Sequence, residues 1–399
     1  MAQLSIFLPP FSPDYSGASA VLFDLKTVTA MHDASGCTGN YTGFDDPRWY
    51  GSEAGIFCSG LREIDAIMGD DEKLENKMIA AAEYLKPDLL AIVGSPVPMV
   101  IGSDLDGIAV ELENRTGLPA FGINTTGIGY YDEGALKIAR QLVDRFTKDS
   151  PAGEKTSGRV NIIGALPMEF ARGEELALFK DFLKEEGYEV NLSLAMGYTL
   201  EDLKHGARAE VNLAVSRFGL TMSRYLEEKF HIPYLAGFPV GEKGTLLWKA
   251  ALEEVRKTRT SHILTPQDAE RLGVLSDAAE RSERVLIVGE QLRSNAIRIA
   301  LMLDEGYRDV TVGCIYKEEE ALSLPGDLNL LNEEEIMSAL NDSAYDFIVA
   351  DPFMEVLLDE GSDKKFIPYA QYAVSSKLGL KHKVNILHRD FHTWWETSK

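Results

Sequence analysis

VNIIGALPMEFARGEELALFKDFLKEEGYEV, residues 160–190, reads as one complete strand–turn–helix–strand unit. Val160 to Ile163 is a short apolar run closed by Gly164, as a parallel strand buried on both faces requires. Leu176, Phe179, Phe182 and Leu183 then recur at helical spacing, and Gly187 supplies the stop. The same alternation repeats on either side. LLAIVGS (89–95), VNLAVSR (211–217), RVLIVGE (284–290) and DFIVADP (346–352) are apolar runs ended by Gly, Pro or a polar residue, and LTMSRYLEEKFH (220–231) and LRSNAIRIALMLDEG (292–306) are amphipathic. Strands alternating with helices predict parallel sheets covered on both faces. The polar stretch KDSPAGEKTSGR (148–159) and a softer break at RKTRTSHILTPQD (256–268) divide the chain. The expected fold is α/β: three successive Rossmann-like domains with mainly parallel sheets, at residues 1–150, 151–262 and 263–399.

Composition narrows the function. The 399 residues are 45% hydrophobic and 26% charged, with no apolar run long enough to span a membrane and no signal-like start, so a soluble cytoplasmic protein is expected. Sixty-three acidic against forty basic residues leave a formal charge of −23, which repels nucleic acid and anionic membrane surfaces. The strand–Gly–helix openings at Gly164 and Gly289 lack the G-x-G-x-x-G spacing of a dinucleotide site, and no P-loop occurs, so ATP is not expected to bind this chain.

The three cysteines are Cys37, Cys58 and Cys314. An odd number without a secretory signal argues against a disulfide framework and leaves thiols or metal ligands. Cys37 lies between glycines in MHDASGCTGN, where the backbone turns and a bulky inorganic group can approach; Cys58 follows in GIFCSGL. Thiolates are the usual ligands of iron–sulfur clusters, which normally take four, so a symmetric dimer bringing two copies of each cysteine to its axis would complete a set. The simpler reading is a small buried hydrophobe, and that is the expectation for Cys314 in VTVGCIY. Around Cys37 stand His32, Asn40, Tyr41, Asp45, Asp46, Arg48, Trp49 and Tyr50. An Arg–carboxylate pair ordering the loop is the plain role for this group, whereas Asp45, if burial raised its pKa, could donate a proton.

At these residues the chain resembles the nitrogenase component 1 superfamily, which includes molybdenum–iron protein subunits, their cofactor-assembly scaffolds and tetrapyrrole reductases. The likeness is carried by His32 ahead of the Gly36-Cys37 pair, by the S-x-L-x-E-x-D-x-x-x-G passage from Ser59 to Gly69 with Lys73-Leu74 after it, and by IGSDLDGIAVELENRTGLPAFGINTTG (101–127). The middle segments 160–190 and 207–245 are similar to that superfamily's second domain.

The resemblance implies an iron–sulfur cluster ligand at Cys37. It also implies a separate homodimeric iron–sulfur ATPase that spends ATP to deliver low-potential electrons. Departures are as informative. Where relatives with a full interface cluster carry further cysteines, this chain has FSPDYSG (11–17) and Ser95-Pro96, while Cys58 stands where nitrogenase proper has none. A single [4Fe-4S] cluster held by Cys37 and Cys58 of a homodimer fits best, with a heteromer of homologous subunits as the other arrangement. The family's cofactor-anchoring cysteine is matched by Ser216, a poor ligand for a soft cluster, and its anchoring histidine by His388, with His392 close by. His388, Asp45 and His32 are therefore the candidate catalytic side chains of a nitrogenase-like reductase of undefined substrate. A scaffold for assembling a metal cofactor is the alternative.

Overall fold

A computed structural model describes residues 5–69, 71–148 and 157–399. Its strands form three wholly parallel sheets. The first holds β1 (Thr27–Met31), β2 (Ile56–Cys58), β3 (Leu89–Val93) and β4 (Ala120–Ile123) in the order β2-β1-β3-β4. The second holds β5 (Arg159–Ile163), β6 (Glu189–Leu194), β7 (Val211–Ala214), β8 (Tyr234–Ala236) and β9 (His262–Ile263) in the order β6-β5-β7-β8-β9. The third holds β10 (Arg281–Gly289), β11 (Tyr307–Cys314), β12 (Leu328–Asn329), β13 (Phe347–Ala350) and β14 (Lys365–Pro368) in the order β12-β11-β10-β13-β14. The α/β architecture with parallel sheets is as the sequence predicts. In every sheet the first strand lies inside, so the strand order reverses beside the carboxyl ends of β1, β5 and β10, where open α/β sheets bind ligands.

The first sheet shows why its strands read as unbroken apolar runs. Val28, Ala30, Leu90 and Ile92 point to one face, against Leu74, Met78, Ile108 and Leu112 of the helices Asp71–Leu85 and Leu105–Thr116. Met31, Leu89, Ala91 and Val93 point to the other, against Val21, Leu22, Ile138 and Leu142 of the helices Asp14–Leu22 and Tyr131–Phe146. Both faces of the inner strands β1 and β3 are dry, so no residue there alternates outward to water.

The helices Asp14–Leu22 and Tyr131–Phe146 touch backbone to backbone. A Cβ placed on Gly17 would lie 1.8 Å from the Tyr131 carbonyl oxygen, and one on Gly134 would lie 1.8 Å from that of Asp14. Glycine at both positions permits the crossing. Asp14 fixes the start of its helix by accepting the N–H groups of Thr126 (2.8 Å) and Gly127 (2.7 Å). Tyr15 is thereby held over the carboxyl end of the first sheet.

Among the described residues no helix is long and apolar enough to cross a membrane.

Candidate metal centre

The segments that carry the two thiols run side by side because β1 and β2 pair in parallel with Met31 opposite Cys58. The chain leaving β1 therefore runs alongside the end of β2. Asp33 ties the two together: its carbonyl oxygen faces Cys58 Sγ at 3.4 Å, and its carboxylate accepts the Thr38 N–H at 3.0 Å. That second bond sets the short helix Gly36–Asn40 on which Cys37 sits. Ser59 Oγ contacts His32 Nδ1 (3.0 Å) and accepts the Asp33 N–H (3.0 Å), and buried Ser95 donates from Oγ to the His32 carbonyl at 2.8 Å. Ser95 is thus consumed in holding the loop. Burial pushes His32 below the usual imidazole range, so it serves here as a neutral strut rather than a charged group.

Both cysteines are half-buried, and Cys314 is fully buried. Cys58 Sγ accepts the Gly60 N–H at 3.3 Å. Burial first, then the nearby Asp33 carboxylate, pushes the Cys37 thiol up. Ligation by Cys37 would release that proton. A Cβ built on Gly36 or Gly39 meets nothing within 4 Å, so the space beside Cys37 is open. Two soft donors, an N–H aimed at the Cys58 sulfur, and open space beside a glycine turn suit an iron–sulfur cluster.

Asp45 is buried one turn further on. It accepts Ser16 Oγ at 2.5 Å and Asn40 Nδ2 at 2.8 Å, and burial together with the Asp46 charge pushes it up to about 7. Its neighbours lock the loop. Arg48 grips both oxygens of Asp46 (Nε 3.1 Å, Nη2 2.8 Å) with its guanidinium 4.0 Å from the Phe23 ring centre, and Tyr41 donates to Asp46 at 2.9 Å.

Large apolar side chains are exposed on elements next to those that carry the thiols. Phe57 stands on β2, Ile64, Ile67 and Met68 on the helix Glu63–Met68 that follows β2, and Val97 and Val100 on the helix Pro96–Ile101 that follows β3, with Ile67 at 72% and Val100 at 76% exposure. Exposed apolar side chains on neighbouring elements suit association with another protein surface. Among the described residues, the three His, Cys or carboxylate groups that do gather at ligand spacing lie elsewhere, at Glu305, His392 and Glu396.

The sequence profile of the family described as "Nitrogenase component 1 type Oxidoreductase" matches residues 13–350. The chain belongs to that family. Among curated relatives, the B subunit of the light-independent protochlorophyllide reductase of Chloroflexus aurantiacus is 28% identical over 184 residues, covering 46% of this chain and 34% of that protein. The nitrogenase iron-molybdenum cofactor biosynthesis protein NifE of Methanosarcina barkeri is 25% identical over 235 residues, covering 55% of this chain and 50% of NifE. The matches thus span about a third to a half of these relatives. A solved structure of nitrogenase Cp1 at pH 6.5 superposes over 100% of this chain and 93% of its own with a TM-score of 0.72 at 13% identity, which establishes the shared fold.

Further from the thiols, this nitrogenase component 1 family member gives Ser216 and His388 other partners. Ser216 Oγ donates to the Gly164 carbonyl at 2.7 Å and accepts the Gly219 N–H at 3.1 Å, capping the helix Arg217–Phe230, so its hydroxyl is fully used. His388 bonds through its backbone N–H to Pro239, and its ring lies 6.3 Å from that of Phe182. His392 Nδ1 pairs with buried Glu305 at 2.6 Å, while Lys399 occupies Glu396. Cys314 is a core residue whose thiol burial pushes up to about 11.

The sequence also hides a set of buried charges where the carboxyl ends of β5 and β10 face each other. Glu290 accepts the N–H groups of Arg217 (2.8 Å) and Arg293 (2.8 Å), Glu169 accepts the Tyr131 hydroxyl (2.5 Å), and Arg293 pairs with Glu175 (2.5 Å). Burial pushes Glu169 and Glu290 up. The one cue in the sequence is an acidic residue directly after a strand-ending glycine, Gly289-Glu290.

Proposed function

We propose that this protein is the catalytic component of a nitrogenase-like reductase. Cys37 and Cys58 of two copies would hold one [4Fe-4S] cluster at the dimer axis, and the cluster would pass low-potential electrons from an ATP-dependent, iron-protein-like partner to a substrate. The observation that supports this reading is two half-buried thiols on segments that leave the paired strands β1 and β2 side by side, with exposed apolar side chains on neighbouring elements. Each chain offers two thiolates and a cluster takes four, so the association that buries these side chains also completes the ligand set.

In this scheme the chain's own groups have distinct tasks. Cys37 and Cys58 ligate, and Gly60 donates its N–H to the Cys58 sulfur and favours the charge there. Asp33 and Ser95 hold the loop in register, with His32 as a neutral strut. Asp45, titrating at about 7, stores a proton close to the reducing centre. The chain carries no phosphate-binding loop, which assigns ATP hydrolysis to the partner.

The test is anaerobic reconstitution with iron and sulfide. Protein that binds about two irons per chain, runs as a dimer, shows a paramagnetic signal on reduction and loses iron in both Cys37→Ala and Cys58→Ala supports the reading. A folded, colourless, iron-free wild type refutes it, and full iron in Cys58→Ala refutes the ligand set. Native mass separates the homodimer from a heteromer in which a homologous subunit supplies thiolates.

The similarity to NifE favours a second reading, a scaffold or carrier that assembles a metal cofactor without turnover. ATP-dependent reduction of an acceptor by a reduced iron-protein-like partner, occurring only when this protein carries its cluster, supports the reductase. Release of an intact metal cluster to a recipient apo-protein supports the scaffold.

A further inference from the structure

The peptide group between Ser59 and Gly60 is engaged at both ends. Its N–H donates to Cys58 Sγ at 3.3 Å, and its carbonyl oxygen accepts Lys77 Nζ at 2.7 Å. The turn that carries it is fixed on either side. The Ser59 N–H bonds to the Met31 carbonyl and the Leu61 N–H to that of Asp33, each at 2.9 Å, and Gly60 takes a left-handed φ of +68°, which glycine adopts without strain. Lys77 arrives from a separate element, the helix Asp71–Leu85, which Leu74 and Met78 anchor against the first sheet. A Cβ built on Gly60 would lie 3.9 Å from Lys77 Nζ, so the ammonium sits over the turn. The two hydrogen bonds and the peptide between them confine the ammonium to within about 8 Å of the Cys58 sulfur.

Building on the cluster reading above, we infer that Lys77 is a positioning residue that acts on the Cys58 sulfur through the Ser59–Gly60 peptide and thereby raises the reduction potential of the interface cluster. The ammonium holds the carbonyl end of the peptide and draws electrons toward the oxygen, which makes the N–H at the other end a stronger donor. Adding one electron to the cluster increases the negative charge on the cysteine sulfurs, so a donor aimed at one of them stabilises the reduced form more than the oxidised form. Lys77 is a surface residue, and solvent screening keeps the effect to a few-fold. Lys73, one turn earlier on the same helix, donates instead to both oxygens of Asp65, at 2.7 and 2.8 Å. It carries the same charge without touching the peptide, which makes it the control.

Lys77→Met keeps the aliphatic stem and removes the ammonium. In anaerobically reconstituted protein, Lys77→Met is expected to keep the wild-type iron content and dimer mass. At a fixed poise near the wild-type midpoint, its ratio of reduced to oxidised cluster falls about threefold, equivalent to a midpoint lower by about 28 mV, since tenfold is about 59 mV for one electron. Lys77→Arg, which keeps the charge and an N–H donor, and Lys73→Met are both expected to hold the wild-type ratio. An unchanged midpoint in Lys77→Met at full iron content overturns the inference while leaving the cluster reading intact. An equal fall in Lys73→Met overturns it as well, because charge alone would then account for both. Iron lost from Lys77→Met makes the lysine a requirement of assembly and overturns the tuning role.

A second measurement does not need the cluster. In metal-free protein with its backbone amides assigned, the Gly60 amide proton is expected to shift upfield in Lys77→Met and to stay in place in Lys73→Met. A Gly60 resonance indifferent to Lys77→Met overturns the relay through the peptide. Wild-type protein that takes up no iron refutes the cluster reading and, with it, the tuning role, even where the Gly60 resonance moves.

Discussion

Replacing Asp45 by asparagine is expected to stabilise the metal-free protein, and to do so more strongly as pH rises. Asp45 titrates at about 7 in the fold against 3.8 for the free side chain, because burial disfavours its charge and Asp46 lies close by. Below the lower value both folded and unfolded chains hold the proton, and the group contributes nothing. Between the two values the unfolded chain ionises while the folded one does not, so stability falls by about 1.4 kcal/mol per pH unit, for a total of about 4 kcal/mol at mildly alkaline pH. Asparagine cannot ionise. Its carbonyl oxygen can accept the Ser16 and Asn40 donors, while its amide group in the buried site adds a cost that does not depend on pH. The signature is therefore a slope rather than an offset. Between about pH 5 and about pH 8 the stability gap between Asp45→Asn and wild type should widen by about 2–3 kcal/mol in favour of the variant. Urea unfolding followed by tryptophan fluorescence measures the gap at each pH. A gap that stays constant, or that closes as pH rises, would mean the folded carboxyl is already ionised at low pH, and the proton-store role of Asp45 would fall with it.

Three further expectations are independent of that one. Ile67→Asp puts a charge among the exposed apolar side chains and should leave the melting temperature unchanged. Because each face loses an apolar side chain worth about 1.5–3 kcal/mol and gains a buried carboxylate, it should weaken self-association by about two to four orders of magnitude; sedimentation at two concentrations decides, and an unaltered dimer moves the interface elsewhere. Gly134→Ala forces a Cβ into the Asp14 carbonyl oxygen and should cost about 3 kcal/mol, visible as a lowered melting temperature; wild-type melting would show that the two helices do not cross so closely. Ser216→Ala should cost about 1–2 kcal/mol through the lost cap with the iron content of reconstituted protein unchanged, whereas lost iron would make Ser216 a ligand after all.

The strands and helices that sequence reading finds are those whose burial writes a pattern. LLAIV, VNII and FIVA are sealed on both faces and so are unbrokenly apolar, and the amphipathic runs at 174–187, 220–231 and 292–306 appear as the helices Glu174–Glu185, Arg217–Phe230 and Gln291–Leu303. Edge strands of two or three residues, such as His262–Ile263, Leu328–Asn329 and Ile56–Cys58, are too short to show a period. That last strand matters most for the site. Cys58 comes alongside the chain that leads to Cys37 through the register Met31–Cys58, a pairing across 24 intervening residues (32–55) of loop and short helix that no local pattern encodes. Composition could nominate two thiols flanked by apolar residues and small turns; only tertiary pairing sets their segments side by side.

Polar groups are harder to read. The resemblance points to Ser216 as a poor ligand, and its place agrees: a serine that follows a strand and precedes an amphipathic run is where a helix needs an N-cap, and the unsatisfied N–H groups claim its oxygen. Glu290 and Glu169 pass unnoticed because charge in a sequence reads as surface, and their burial depends on Arg217, Arg293 and Tyr131 arriving from distant segments. The close crossing of the helices Asp14–Leu22 and Tyr131–Phe146 is hidden for the same reason. What permits it is the absence of two methyl groups, at Gly17 and Gly134, on helices far apart in the chain, and a missing atom is the one feature of a contact that residue-by-residue reading has no means to weigh.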